Sequence, residues 1–255
     1  MSTELLQAGN SHVSASKSDP VGARRRTDRY FFAGMALLIL GSVFLGFAKT
    51  YFLAGVFNAP LPSWIIHVHG GAFSSWILFL LLQTLLVSSG RVDLHRKLGL
   101  AGFGLACVMV ILGAAAGTDL LRRDGAGLGV DAKAFYAGTL GDMLIFGILI
   151  FFSFRMRRNS TAHKRLILIA TIGLIGAAIA RWPFAIITRA PIMIDVVTYT
   201  FLVLLVAYDV WSMGRVHRST IWGGLFLVVM QRLELPIGRT AVWQGFATWV
   251  QSLVR

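Results

Sequence analysis

Seven long apolar runs, each carrying at most two charged residues, leave this chain few ways to fold. A helix needs about 20 mostly apolar residues to cross the hydrocarbon core of a bilayer. Runs of that order fall near residues 30–49, 62–88, 98–118, 134–154, 165–188, 192–213 and 219–237. In hydrocarbon every backbone polar group must be satisfied internally, so such runs fold as helices. The expected fold is all-α: a polytopic transmembrane helical bundle of about seven spans.

Composition agrees with a bilayer as the solvent. Charged residues are 14% and hydrophobic residues 56% of the chain, where soluble domains carry about a quarter charged. A formal net charge of +13 raises the question of nucleic acid, but the Lys and Arg sit in short segments between apolar runs. That is how loops facing a cytoplasmic leaflet look, and a nucleic-acid partner is not expected. The single cysteine, Cys107, lies inside an apolar run and reads as a small buried hydrophobe.

Counting Lys and Arg orients the bundle. With the N-terminus inside, the inner segments hold Lys17, Arg24, Arg25, Arg26, Arg29, Arg91, Arg96, Lys97, Arg155, Arg157, Arg158, Lys164, Arg165, Arg215 and Arg218, which is fifteen of the 24. The N-terminus is therefore expected in the cytoplasm of a bacterium, with the multi-pass chain in its inner membrane. Residues 1–29 read as a disordered basic tail and 30–238 as the seven-helix domain. The seventh run is interrupted by Gln231, Arg232 and Glu234 before Pro236. Residues 240–254 place Val242, Trp243, Phe246, Trp249, Val250 and Leu253 on one helical face, as an amphipathic helix lying in the interface does.

The turns on the inner side repeat a pattern: His95-Arg96-Lys97-Leu98, His163-Lys164-Arg165-Leu166 and His217-Arg218. Together with Ile66-His67-Val68-His69-Gly70, Gln83-Thr84, Arg181-Trp182-Pro183 and Ala207-Tyr208-Asp209, they make the chain similar to an uncharacterised bacterial family of seven-helix integral membrane proteins with HxHG, HRxLG and HKRL signatures. The likeness covers about residues 30–250 and implies the same topology. The His of the HxHG segment and the His-Arg-x-Leu-Gly turn also resemble membrane proteins of haem–copper oxidase assembly.

Ionisable groups at membrane depth are costly and mark function. His67, Asp142, Arg181, Asp195 and Tyr199 fall within roughly 10 Å of depth in the outer half, at 1.5 Å rise per residue. Arg181 shares a face with Ala170, Gly173 and Ala177, and His67 with Gly70, Gly71 and Ser74; small residues of this kind let helices approach closely. Pro183 should kink the fifth span. The expectation is an outer-leaflet polar site with Arg181 paired to Asp142 or Asp195 and His67 as a possible metal ligand. His67 and His69 stand roughly 200° apart on a helix, and the face of His69 carries Phe73 and Trp76, as at a lipid interface. On the inner side, His95, His163 and His217, with Arg96, Lys164 and Asp209, either anchor to anionic headgroups or converge on a metal, a haem or a phosphate.

The sequence lacks a Lys in the last run for a retinal Schiff base, an HExxH zinc motif, desaturase His boxes and a P-loop. Two functional readings remain. One is haem- or metal-linked redox chemistry or its assembly at the outer site, with haem b or a metal ion as cofactor. The other is a small transporter or proton-relay protein using the polar stripe Asp195, Tyr199, Val206, Asp209; a non-catalytic scaffold is the bland alternative.

Overall fold

The computed structural model describes residues 20–60, 63–125 and 131–254, with side chains from residue 27 onward. Among them there is no strand. Ten α-helices follow in order: α1 (Pro20–Phe47), α2 (Trp64–Ser88), α3 (Val92–Arg122), α4 (Ala132–Arg155), α5 (Ser160–Leu174), α6 (Gly176–Ile179), α7 (Ala185–Arg189), α8 (Ile192–Met213), α9 (Arg218–Gly238) and α10 (Ala241–Val254). A π-helical turn, Ala48–Phe52, extends α1. Seven of these segments are long and apolar enough to cross a membrane. The chain is an all-α, multi-pass bundle in contact with lipid.

Several ends are set by local chemistry. Asp131 caps α4 by accepting from the Lys133 amide at 3.0 Å, and Asn159 caps α5 by accepting from Ala162 at 3.2 Å; such caps satisfy amides that the helix itself cannot. Gly214, at φ +68°, closes α8 in the left-handed conformation that glycine adopts without cost. Helix α1 is already helical at Pro20, ten residues before the expected boundary at 30. Residues 1–19 of the expected tail lie outside the described residues.

The fifth span departs most from expectation. Its helix does not kink at Pro183 but stops: α5 and α6 end at Ile179, and the Ile179 carbonyl is taken by the Trp182 amide at 3.0 Å. The residues before Pro183 are pushed out of helical geometry, and α7 restarts as one short turn.

The core surrounds α5, where Ile169, Ala170, Thr171 and Ile172 are wholly buried. Helix α4 packs against α3, α5 and α9. Helix α1 meets α6 backbone to backbone, so close that a Cβ on Gly46 would fall 2.1 Å from the Ala178 carbonyl oxygen. Cys107 is exposed on α3, not buried as its apolar surroundings suggested; an outward face in a bilayer is as apolar as a core. Helix α10 packs against α3 and α4, with Trp243 and Val250 on Leu121, Ala132 and Tyr136. Val242, Phe246, Trp249 and Leu253 are left exposed.

Candidate functional site

The end of the bundle away from the α1 N-terminus gathers a polar cluster among α4, α8 and α9. Asp142 is the eleventh residue of α4, roughly 15 Å from that helix's start at 1.5 Å per residue. Its Oδ1 accepts from Gln231 Nε2 at 2.9 Å, and the same nitrogen donates to the Gly173 carbonyl at 3.1 Å. Gln231 Oε1 accepts from the Tyr199 hydroxyl at 3.2 Å. That hydroxyl accepts from Arg232 at 3.2 Å, and Arg232 pairs with Asp195 at 2.6 Å. The chain of contacts runs from Asp195 and Arg232, with side chains 39% and 48% exposed, inward to Asp142.

Glu234 completes the cluster. Its carboxyl lies against α4 on the glycines at 138 and 141, and a Cβ on Gly141 would sit 2.5 Å from Oε1. Only a residue without a side chain leaves room for the carboxyl there, one position before Asp142. Glu234 interacts electrostatically with both Asp142 and Asp195. Its Oε1 is buried and has no hydrogen-bond partner among the described residues. Two carboxyl groups that interact in this way repel each other when both are ionised.

Three of the five expected outer-site residues, Asp142, Asp195 and Tyr199, are thus brought together, and two are not. Arg181 lies in the segment between α6 and α7, where it donates to the Ala177 carbonyl at 2.6 Å and covers the Phe47 ring at 4.9 Å. It pairs with neither Asp142 nor Asp195; Gln231 and Arg232 occupy those carboxylates. Once the helix ends at Ile179, residue 181 leaves the face it would share with Gly173 and Ala177.

His67 is also elsewhere. The Tyr51 hydroxyl donates to its carbonyl at 3.2 Å, and the Tyr51 ring packs over Gly70. The small-residue face of α2 therefore receives Tyr51 from the end of α1. The bulky face points inward instead: Trp76 is buried and donates to the Thr171 hydroxyl at 3.2 Å, and Phe73 packs on the same core. His69, its ring tilted against Phe73 with centroids 4.2 Å apart, is the inward histidine of α2, with Nδ1 buried and without a partner among the described residues. The expected facing of His67 and His69 is reversed, because aromatic residues here fill the core rather than the interface.

At the basic end, Arg165 and Asp209 form a pair whose side chains are 1% and 0% exposed. Asp209 also accepts from the His217 amide at 3.0 Å and the Thr220 hydroxyl at 2.6 Å, so it is fully engaged in joining α5, α8 and α9. Lys164 pairs with Asp28 at 2.8 Å, which ties α1 to α5, while Arg96 is exposed. His217 caps α9, its Nδ1 accepting from the Ser219 amide at 3.1 Å. Burial and the nearby Arg165 hold its imidazole below the usual histidine range. The rings of His95 and His163 approach at 6.4 Å. No three His, Cys, Asp or Glu side chains among the described residues come together as metal ligation needs.

Gln231, Arg232 and Glu234 supply half of this cluster and were read in the sequence only as interruptions of the last apolar run. Their position at the depth of Asp195 and Tyr199 was the available signal. Compared with protein-family models, curated proteins and solved structures, the chain matches none.

Proposed function

We propose that this chain is a proton-relay protein of a bacterial inner membrane, with the N-terminus in the cytoplasm and the Asp142–Glu234 cluster opening toward the periplasm. The observation that carries the reading is the half-buried Glu234 carboxyl, which lies against Gly141 with Oε1 shielded from solvent and interacts with the neighbouring Asp142. A proton arriving from water at Asp195 passes to the Glu234 carboxylate, is held between Glu234 and Asp142, and goes to water at the opposite face of the bundle when the pair ionises. Arg232 and Tyr199 hold Asp195 and Gln231 in place. Gln231, which does not titrate, fixes Asp142 at roughly mid-depth of a 30 Å hydrocarbon core. Intramembrane carboxyls facing a bundle interior are the usual material of proton relays. The alternative of a haem or metal at this outer site loses its imidazole, since His67 stands with Tyr51.

Infrared difference spectroscopy across a pH titration tests the reading. One carboxylic acid band should persist at neutral pH and disappear in both Asp142→Asn and Glu234→Gln. Two ionised carboxylates at neutral pH in the unaltered protein would contradict it.

A further inference from the structure

Helix α10 presents an apolar surface that the carboxyl cluster does not use. Successive residues of an α-helix turn by about 100°, which sorts this one into three faces. One face is spent on the protein: Ala247 and Gln251 are buried, and Trp243 and Val250 pack on α3 and α4. Hydrogen bonds fix it there. Trp243 Nε1 donates to the Lys133 carbonyl at 2.8 Å, Gln244 Nε2 to the Gly238 carbonyl at 2.7 Å and Gln251 Nε2 to the Leu121 carbonyl at 2.9 Å. The second face carries Val242, Phe246, Trp249 and Leu253 within roughly 60° of one another, all exposed. The third carries Gly245, Thr248 and Ser252, small, uncharged and exposed.

Charge and level together say what covers the second face. Residues 241–254 include no Asp, Glu, Lys or Arg, whereas a helix on the surface of a soluble protein sets charged residues opposite its apolar stripe. Only residues 239 and 240 separate α10 from α9. The end of α9 lies against the start of α4, where a Cβ on Gly238 would fall 2.9 Å from the Ala134 Cα. The lipid-facing belt of the spans reaches that level, with Phe135 of α4 and Leu235 and Ile237 of α9 exposed. The apolar face of α10 begins where that belt ends. Its aromatic rings, Phe246 and Trp249 with centroids 6.0 Å apart, suit the boundary between hydrocarbon and headgroups, where tryptophan is enriched.

We infer that the bundle holds α10 in the surface of the bilayer, with Val242, Phe246, Trp249 and Leu253 set roughly 5–10 Å into the boundary of headgroups and acyl chains. Gly245, Thr248 and Ser252 then face water. Of the six residues that share the apolar side of this helix in the sequence, Trp243 and Val250 bind protein and the other four bind lipid. The partner is the acyl region of the lipid whatever its headgroup charge, because the helix carries no cation to select an anionic one. This placement rests on the bundle crossing a membrane and not on proton transfer by Asp142 and Glu234.

The test puts one spin label at a time on the full-length chain, in a Cys107→Ser background, in vesicles of phosphatidylcholine with and without phosphatidylglycerol. Labels go on Phe246→Cys, Trp249→Cys, Leu253→Cys, Thr248→Cys and Ser252→Cys. All five positions are exposed, so the packing of α10 on α3 and α4 survives labelling. Collisions with oxygen, which concentrates in hydrocarbon, are compared with collisions with a water-soluble nickel chelate. Labels at 246, 249 and 253 should favour oxygen and those at 248 and 252 the nickel chelate, equally in both kinds of vesicle. Five labels reached alike would overturn the inference, as would a contrast that appears only with phosphatidylglycerol. Dipolar broadening between copies at 246, 249 and 253 would assign the face to a second copy of the chain and overturn it as well.

Discussion

Gln231 holds Asp142 at 2.9 Å through the same amide nitrogen that reaches the Gly173 carbonyl, so one side chain of α9 ties α4 to α5 inside the bilayer. Gln231→Leu removes the donor from a buried carboxyl and strands the Gly173 oxygen. The expected loss is about 1–3 kcal/mol, read as a lower midpoint of thermal unfolding in detergent. A variant as stable as the parent would show that this bond does not hold the cluster.

Arg165 and Asp209 bear the larger stake in stability. Breaking a buried ion pair by removing one partner costs about 3–5 kcal/mol because the other charge is left uncompensated. Arg165→Met and Asp209→Leu should each approach that cost. The double variant should recover part of it, limited by the His217 amide and Thr220 hydroxyl that Asp209 also accepts from. Arg181→Ala should cost less than either, because Arg181 is exposed and rests on Phe47. An Arg181→Ala loss equal to that of Arg165→Met would place the critical arginine at the other end of the bundle.

His217 gives α9 a pH dependence. Its folded pKa lies below the ordinary histidine value of 6.5, so the unfolded chain takes up the proton first as pH falls. The stability it contributes is complete above about pH 6.5 and is lost as pH drops through the folded value. Protonation also removes the Nδ1 acceptor that caps Ser219. The protection of the Ser219 amide, corrected for the intrinsic slowing of exchange in acid, should therefore fall on acidification below pH 6.5. His217→Asn, which caps without titrating, should abolish that dependence; persistence of the pH effect in the variant would assign it to another group.

The spans were legible because a bilayer demands about 20 apolar residues for each crossing, and helices such as α8 match the expected 192–213 to the residue. Only half of the outer site was legible. Asp142, Asp195 and Tyr199 stand out as polar groups in apolar runs, whereas Gln231, Arg232 and Glu234 were discounted because they weaken the last run. Their polarity weakens that run because they build the cluster. Arg165 was hidden for a related reason: counting positive residues for orientation treats each as solvated, and this one is 1% exposed. The facing of α2 could not be read from residue size, since Trp76 serves as well in a core, where Thr171 meets its N–H, as at an interface.

The orientation proposed from the distribution of Lys and Arg is tested by reporter fusions. Fusions after residues 60, 125 and 190 should report the periplasmic side, and those after residues 90 and 158 the cytoplasmic side. A cytoplasmic signal at two of the first three would invert the membrane placement of both ends.

Proton flux into vesicles carrying a pH-sensitive dye is the most direct test of the account. Under an imposed pH gradient with the membrane potential clamped, vesicles containing the protein should equilibrate faster than empty vesicles. Glu234→Gln and Asp142→Asn should each bring the rate down to that of empty vesicles, while Arg239→Gln, which stands beyond the end of α9, should leave it unchanged. A rate in the unaltered protein no faster than in empty vesicles, or one indifferent to both carboxyl substitutions, would contradict the assignment of Asp142 and Glu234 as the proton-holding pair.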